Sequence, residues 1–281
     1  MEFDVFSWIW VLFILFLAIP IVKRKVLESS RSMMIRRLER KRNSRVITMI
    51  HRQEALSILG IPFTKFINIE DSEQILRAIR LTPDDVSIDL ILHTPGGLAL
   101  AATQIANAIK KHPAEVRVLI PHYAMSGGTL IALAADKLVM DDNAVLGPTD
   151  PILGQLTKQY PAVSILRAAE IKDKKKLDDE TLILMDIAEK AINQVQKLVY
   201  NLLRDKLSKE DAEKVSRELT EGKWTHDYPL TVEDLRSMKL PVEIGLPNDI
   251  YRLMELYPQP TRFTPSVEYI PTPYKKEPKV A

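Results

Sequence analysis

Between Leu90 and Ala135 the sequence makes the same move twice: an apolar run, a glycine turn, then a helix-spaced segment. Leu90-Ile91-Leu92-His93 runs into Thr94-Pro95-Gly96-Gly97, and after the helical stretch Leu98 to Lys111 the run Val116 to Ile120 leads to Ala124-Met125-Ser126-Gly127-Gly128. Short apolar runs bounded by such turns and followed by helical spacing read as strands of a parallel sheet buried on both faces. Two in succession, joined by a right-handed crossover, set their turns side by side at one edge of the sheet. The fold class is therefore α/β.

The same order has a chemical consequence. Glycines carry no Cβ, so their backbone N–H groups can face outward at a helix start, where negative charge is favoured. The tight turn lifts Ser126 clear of the sheet, and the N–H groups of Gly97 and Gly127 can converge beside its hydroxyl. A nucleophile next to an oxyanion hole is the result. Either corner alone is what any βαβ unit uses to turn; both on consecutive strand ends read as a site.

HTPGG followed by AMSGGTLIALAAD resembles the Clp-type serine peptidases, and among them the signal peptide peptidase A branch, with its (N/H)-(S/T)-P-G-G turn and (A/M)-S-G-G-x-x-x-A-x-A-A-D elbow. Gly222-Lys223-Trp224-Thr225 is similar to the G-(K/R)-x-(W/F)-T segment that follows the long helix there. Together with Trp224 to Pro229 and Pro265 to Tyr269, the sequence most resembles the membrane-anchored serine dehydrogenase proteinases, over roughly Ile47 to Ile270. The resemblance implies a ClpP/crotonase-type spiral of ββα repeats, peptidase activity on polypeptides, and a homo-oligomer. It also implies that Gly147, Pro148 and Thr149 lie where that branch pairs an edge strand with substrate backbone, although proline limits ladder donation here.

Phe6 to Val22 is a run of about 17 residues without a charge, at the short end of what crosses a bilayer core of about 30 Å. Glu2 and Asp4 precede it and no A-x-A site follows, which argues against a cleaved signal peptide. A retained transmembrane helix over residues 1–22 is expected. Lys23, Arg24, Lys25, Arg31, Arg36, Arg37, Arg40, Lys41, Arg42 and Arg45 follow, against only Glu28 and Glu39, so this flank and the domain after it are expected in the cytoplasm. That basic helix, residues 23–45, either lies on anionic lipid or is a solvated stalk.

The peptidase domain is expected over 46–257 and a proline-rich tail over 258–281, with Val267 to Ile270 docked on a sheet edge or on a neighbouring subunit, or else loose. Strands are expected at Val46 to Ile50, Phe66 to Ile69, Val86 to Leu92, Val116 to Ile120 and Leu138 to Met140. Asp71 or Ser72 caps a helix to Leu81, and a long helix runs from Asp178 to about Leu207 with an apolar face wide enough for a second subunit. Ser208 starts a further helix to Leu219, and Thr231 to Met238 is the last well-marked helix, before the segments Val242 to Ile244 and Asp249 to Leu256.

A serine hydroxyl needs a group to take its proton. The Clp subunits use a histidine after the elbow, but no histidine occurs between His122 and His226. The signal peptide peptidase A branch uses a lysine between the substrate strand and the long helix, where this chain has Lys158, Lys172, Lys174, Lys175 and Lys176. Lys172, after the apolar stretch Ile165 to Ile171, is the expected base; to work near neutral pH a lysine must be drawn well below about 10.4 by burial. His226, beside Asp227 and Trp224, is the rival. His93 and His122 flank the corners without a role in proton transfer.

A net charge of +2 gives no reason to expect nucleic acid. With no cysteine there is no disulfide, thiolate metal site or cysteine nucleophile. No HExxH, P-loop or GxGxxG pattern points to a metal or nucleotide cofactor, so ATP, if used, comes through a partner, with a stomatin-like protein as the other candidate. The expected activity is that of a serine endopeptidase on membrane-associated or unfolded polypeptides. Two other readings stand beside it: an inactive membrane scaffold of the same fold, and a crotonase-type acyl thioester enzyme.

Overall fold

In a computed structural model of the chain, five strands line up as one parallel sheet in the order β1 (Arg45–Ile50), β2 (Ile88–His93), β3 (Val116–Ile120), β5 (Lys137–Met140) and β9 (Val242–Ile244). The structure describes residues 5–52, 65–155, 158–173 and 177–257, without the side chains of residues 5–12, 14 and 15. Register is continuous across the sheet: Ile47 pairs with Leu90, Leu90 with Val118, Val118 with Leu138 and Leu138 with Val242. Every residue of β2 is buried, because the strand is covered on both faces.

Alternation along the strands sorts the apolar side chains into two layers. Leu90, Leu92, Val118, Ile120 and Met140 face α3 (Ala99–Lys111), α4 (Gly127–Ala134), α6 (Asp179–Leu203) and α7 (Lys209–Thr220). Ile91, Leu119 and Val139 face α1 (Val5–Arg42) and α9 (Asn248–Glu255). A short parallel pair, β4 (Tyr123–Ala124) with β6 (Val145–Leu146), is held apart from the main sheet, after the carboxyl end of β3. The α/β class of the sequence reading holds.

The expected strand at Phe66 to Ile69 is not one. Only Ile67 makes a bridge, to Gly97, and Ile69 already opens α2 (Ile69–Arg80). The cap is Asn68 instead of Asp71 or Ser72: its side chain accepts from the Asp71 N–H at 3.0 Å while the Asp71 carboxylate accepts from the Asn68 N–H at 2.9 Å, a capping box. After Pro151 the chain forms an unexpected hairpin, β7 (Ile152–Gln155) with β8 (Lys158–Pro161), before α5 (Ala162–Ile171). Ser208 caps α7 and Thr231 caps α8 (Val232–Ser237) as expected.

The boundary expected after residue 22 falls inside one helix, since the apolar and basic segments are both part of α1. From about Arg31 onward one side of the basic segment packs on the domain, while Arg36 and Arg40 are exposed. Leu38 is 1% exposed against Val46, Ile250 and Leu253. The wholly buried Asp89 carboxylate accepts from Arg42 Nε (2.5 Å) and Nη2 (3.2 Å), Arg117 Nε (2.6 Å) and Ser44 Oγ (2.6 Å), and Lys41 Nζ bonds Asp249 at 2.9 Å. Among the described residues no helix is long and apolar enough to cross a membrane; several side chains of the expected span lie outside them. The expected tail, 258–281, also lies outside the described residues.

Candidate active site

The two glycine corners meet as the strand order requires. Thr94 N–H donates to Tyr123 O at 3.2 Å and Met125 N–H to Thr94 O at 3.0 Å, which fastens the end of β2 to β4. A Cβ on Gly96 would stand 2.9 Å from Ser126 Cβ, and one on Gly128 2.6 Å from Thr94 Cγ2, so neither position tolerates a side chain. Ser126 has φ +50 and ψ −113. A non-glycine residue held there is strained, as a serine on a strand-to-helix elbow is. Its side chain is half-buried at the start of α4.

The donor directions follow from the backbone. Ile67 N–H donates to Gly96 O at 2.7 Å and Leu98 N–H to Ile67 O at 2.8 Å. In such a bridge the groups of the residue between, Gly97, point to the opposite side. That side is Gly127, whose Cβ position would be 3.6 Å from Gly97 N. Gly127 N–H, as the first of α4, has no intrahelical acceptor. Two N–H groups thus flank Ser126, and both lie at the positive end of a helix.

Hydroxyls brace both corners. Thr94 Oγ1, buried, lies 2.8 Å from His51 Nδ1 and accepts from Gly96 N–H at 3.2 Å, and His51 Nε2 lies 3.3 Å from Asp71. Thr129 Oγ1 reaches Ala124 O and Gly147 O at 3.0 and 2.8 Å and accepts from Gly147 N–H at 3.1 Å. At the far end of α4, Lys206 Nζ donates to the carbonyls of Leu133, at 2.6 Å, and Ala135, and burial pulls this ammonium down to about 8.

His226 has a carboxylate partner, and it is not the adjacent Asp227. Its Nδ1 lies 2.9 Å from Oδ1 of Asp150, whose side chain is 1% exposed and whose Oδ2 has no partner. Stacked Trp224 and Tyr228, with centroids 5.7 Å apart, stiffen the loop that carries His226. Leu230 pairs with Leu146, which pairs on its other side with Ala124, so this loop is laced through β6 to the strand before Ser126. No sequence pattern linked Asp150 to His226; only the pairing of β6 with Leu230 brings them together.

Gly147, Pro148 and Thr149 are buried. Gly147 N–H bonds Thr129 and Thr149 N–H bonds Leu219 O at 2.8 Å, so in the single chain both N–H groups are committed inside the domain. What the segment does is place Asp150. Lys172 closes α5 and is exposed, with its charge felt by Asp178. Lys174 to Lys176 lie outside the described residues. No group of three or more His, Asp or Glu residues is disposed to hold a metal among the described residues.

His93 is 1% exposed, with neither ring nitrogen partnered and the ring 4.3 Å from that of Tyr123 and 5.6 Å from that of His122. Burial, reinforced by Arg52, His122 and His51, pulls it down to about 3. In the unfolded chain a histidine takes up its proton near 6.5. Between those values the unfolded state binds more protons, so stability is lost as pH falls through that window. The melting temperature is expected to fall between pH 6.5 and 4.5, and to fall less in His93→Leu; equal falls would show that His93 is not responsible.

Comparison with known proteins gives the setting. The family model of the ClpP-like SDH-type serine proteinases matches residues 1–280. Two uncharacterized proteins of Methanocaldococcus jannaschii are each 60% identical, one over 268 residues (95% of this chain, 92% of the relative) and one over 243 (86% and 82%). Among solved structures, the chain is similar to an alanine mutant of the 1510-N membrane-bound stomatin-specific protease (21% identity, 68% of this chain and 79% of that one, TM-score 0.45). It is also similar to ClpP1 from Listeria monocytogenes (17% identity, 74% and 94%, TM-score 0.45).

Proposed function

The chain belongs to the ClpP-like SDH-type serine proteinases, and on that premise we propose that it is a membrane-anchored endopeptidase in which Ser126 is the nucleophile and His226 the base. The observation that carries the reading is the meeting of Gly97 and Gly127 beside a strained Ser126. With Nδ1 engaged by Asp150, His226 keeps Nε2 to accept the Ser126 proton. Ser126 Oγ then bonds the scissile carbonyl carbon, and the oxygen, now negative, is held by the two N–H groups. His226 returns the proton to the leaving amine, and the C–N bond breaks. A water gives its proton to His226 and its oxygen to the acyl carbon, which releases the acid and restores Ser126.

Lys172 as base requires burial that the single chain does not give it, and strand addition at Gly147 to Thr149 requires release of bonds to Thr129 and Leu219. Homo-oligomerisation belongs to the same proposal, supported by the exposed Leu182, Ile183 and Ile187 on α6. Anchoring rests on the apolar run before Lys23. Feeding by an ATPase or a stomatin-like partner, and a cytoplasmic domain, rest on the sequence alone.

A fluorophosphonate probe tests the reading directly. Labelling of the full-length protein that disappears in Ser126→Ala is the expected result. Absence of labelling in the intact protein favours the inactive scaffold, and turnover of acyl thioesters without casein hydrolysis favours the acyl thioester enzyme.

A further inference from the structure

We infer that α1 is a rigid strut leaving the domain at the sheet edge that carries Ser126, so that the site faces the bilayer and cuts polypeptide segments where they emerge from it. This rests on the endopeptidase reading above and adds to it a place of cutting.

The geometry comes from the way α1 enters the sheet. Asn43, at φ +48, and Ser44 turn the chain directly from α1 into β1, so the helix runs antiparallel to the strand against which it packs. Arg42 is clamped to Asp89, near the amino end of β2, opposite Val46. Arg31 lies at the other end: its guanidinium donates to Leu256 O at 2.8 Å and covers the Tyr257 ring at 4.2 Å. Tyr257 in turn bonds Thr48 through its hydroxyl and accepts from Arg52 through its carbonyl. The lengths agree, since Arg31 to Arg42 rises about 17 Å as helix and Arg45 to Ile50 about 17 Å as strand.

Everything before Arg31 therefore projects beyond the carboxyl ends of the strands. That is the edge where β2 delivers Gly96 and Gly97 and where β4 delivers Ser126. Lys23, where the apolar run ends, stands about 12 Å past Arg31 along the helix axis. On the described part of that run, Phe16, Leu17, Ile19, Ile21 and Val22 are all at least half exposed. An apolar helix surface that ends at Lys23-Arg24-Lys25 suits hydrocarbon bordered by anionic headgroups. Anchors on flexible linkers set no height; this one, docked by Leu38 and clamped through Asp89, does.

The occupant of the site is then an extended polypeptide stretch within roughly 10 to 20 Å of the membrane surface, by the same helix rise. Full-length protein is reconstituted in phosphatidylcholine vesicles containing anionic lipid, together with a single-span model substrate whose tail repeats one short sequence. Cut positions are read by mass spectrometry. Wild type is expected to cut a narrow set of positions next to the bilayer. A seven-residue helical insertion after Lys25 lifts the site about 10 Å and shifts the set outward by about three extended residues. A glycine-serine insertion of equal length broadens the set. Identical positions in all three proteins, or wild type that does not float with the vesicles, overturn the strut. Ser126-dependent casein hydrolysis in detergent separates the two readings: if it is absent in wild type the endopeptidase itself fails, and if it persists while the cut positions stay fixed only the strut fails.

Discussion

Alanine in place of His226 is expected to lower Ser126-dependent casein hydrolysis about 10⁴-fold or more, with Asp150→Asn close behind and Lys172→Ala within about tenfold of wild type. The order follows from what each side chain touches. His226 is held at 2.9 Å by a buried carboxylate, and its loop is tied through Leu230 and Leu146 to the strand before the serine. On the proposed reading, removing the imidazole removes the proton acceptor, and removing the charge of Asp150 frees the ring to rotate and to present the wrong nitrogen. Lys172 stands exposed at the end of α5. The measurement is kcat/KM for the three variants beside Ser126→Ala. Loss in Lys172→Ala with activity retained in His226→Ala reverses the assignment and makes the enzyme a serine-lysine peptidase.

A second large effect is expected far from the chemistry. Asp89→Ala leaves the guanidinium groups of Arg42 and Arg117 facing each other across a buried space without their shared carboxylate. Breaking a buried pair in this way costs about 3–5 kcal/mol, which for a domain of this size lowers the melting temperature by roughly 10 °C. Trypsin should then cut at Arg42, because the end of α1 is no longer clamped. The triple variant Asp89→Leu, Arg42→Met, Arg117→Met should recover much of the loss, since apolar residues of similar volume need no counter-charge. A melting temperature unchanged in Asp89→Ala would mean that the cluster contributes nothing net.

How far the sequence could be read depended on whether structure was set locally. The corners at Gly96-Gly97 and Ser126-Gly127-Gly128 were legible because backbone geometry demands those residues where they stand, and the crossover rule places one corner beside the other. The caps at Ser208 and Thr231 were legible for the same reason. A strand over Phe66 to Ile69 is not formed because the single bridge of Ile67 to Gly97 is a tertiary contact, while the polar Asn68 beside it is already the cap of α2. Asp150 was missed because its partner lies 76 residues away and local pattern favours the adjacent Asp227. The packing of residues 31–42 on the domain is not legible in the sequence, because charge counts do not tell that Arg42 meets Asp89 and Lys41 meets Asp249.

The donor at Gly97 owes its direction to Ile67, which is bonded to the residues on either side of it. Its aim is fixed when the chain folds and does not wait for a substrate to close around it. On the proposed reading, every peptide carbonyl that arrives meets the same two amides, whatever side chains flank it. Discrimination by such an enzyme would then lie less in fitting side chains than in which strands of polypeptide are brought to the right height.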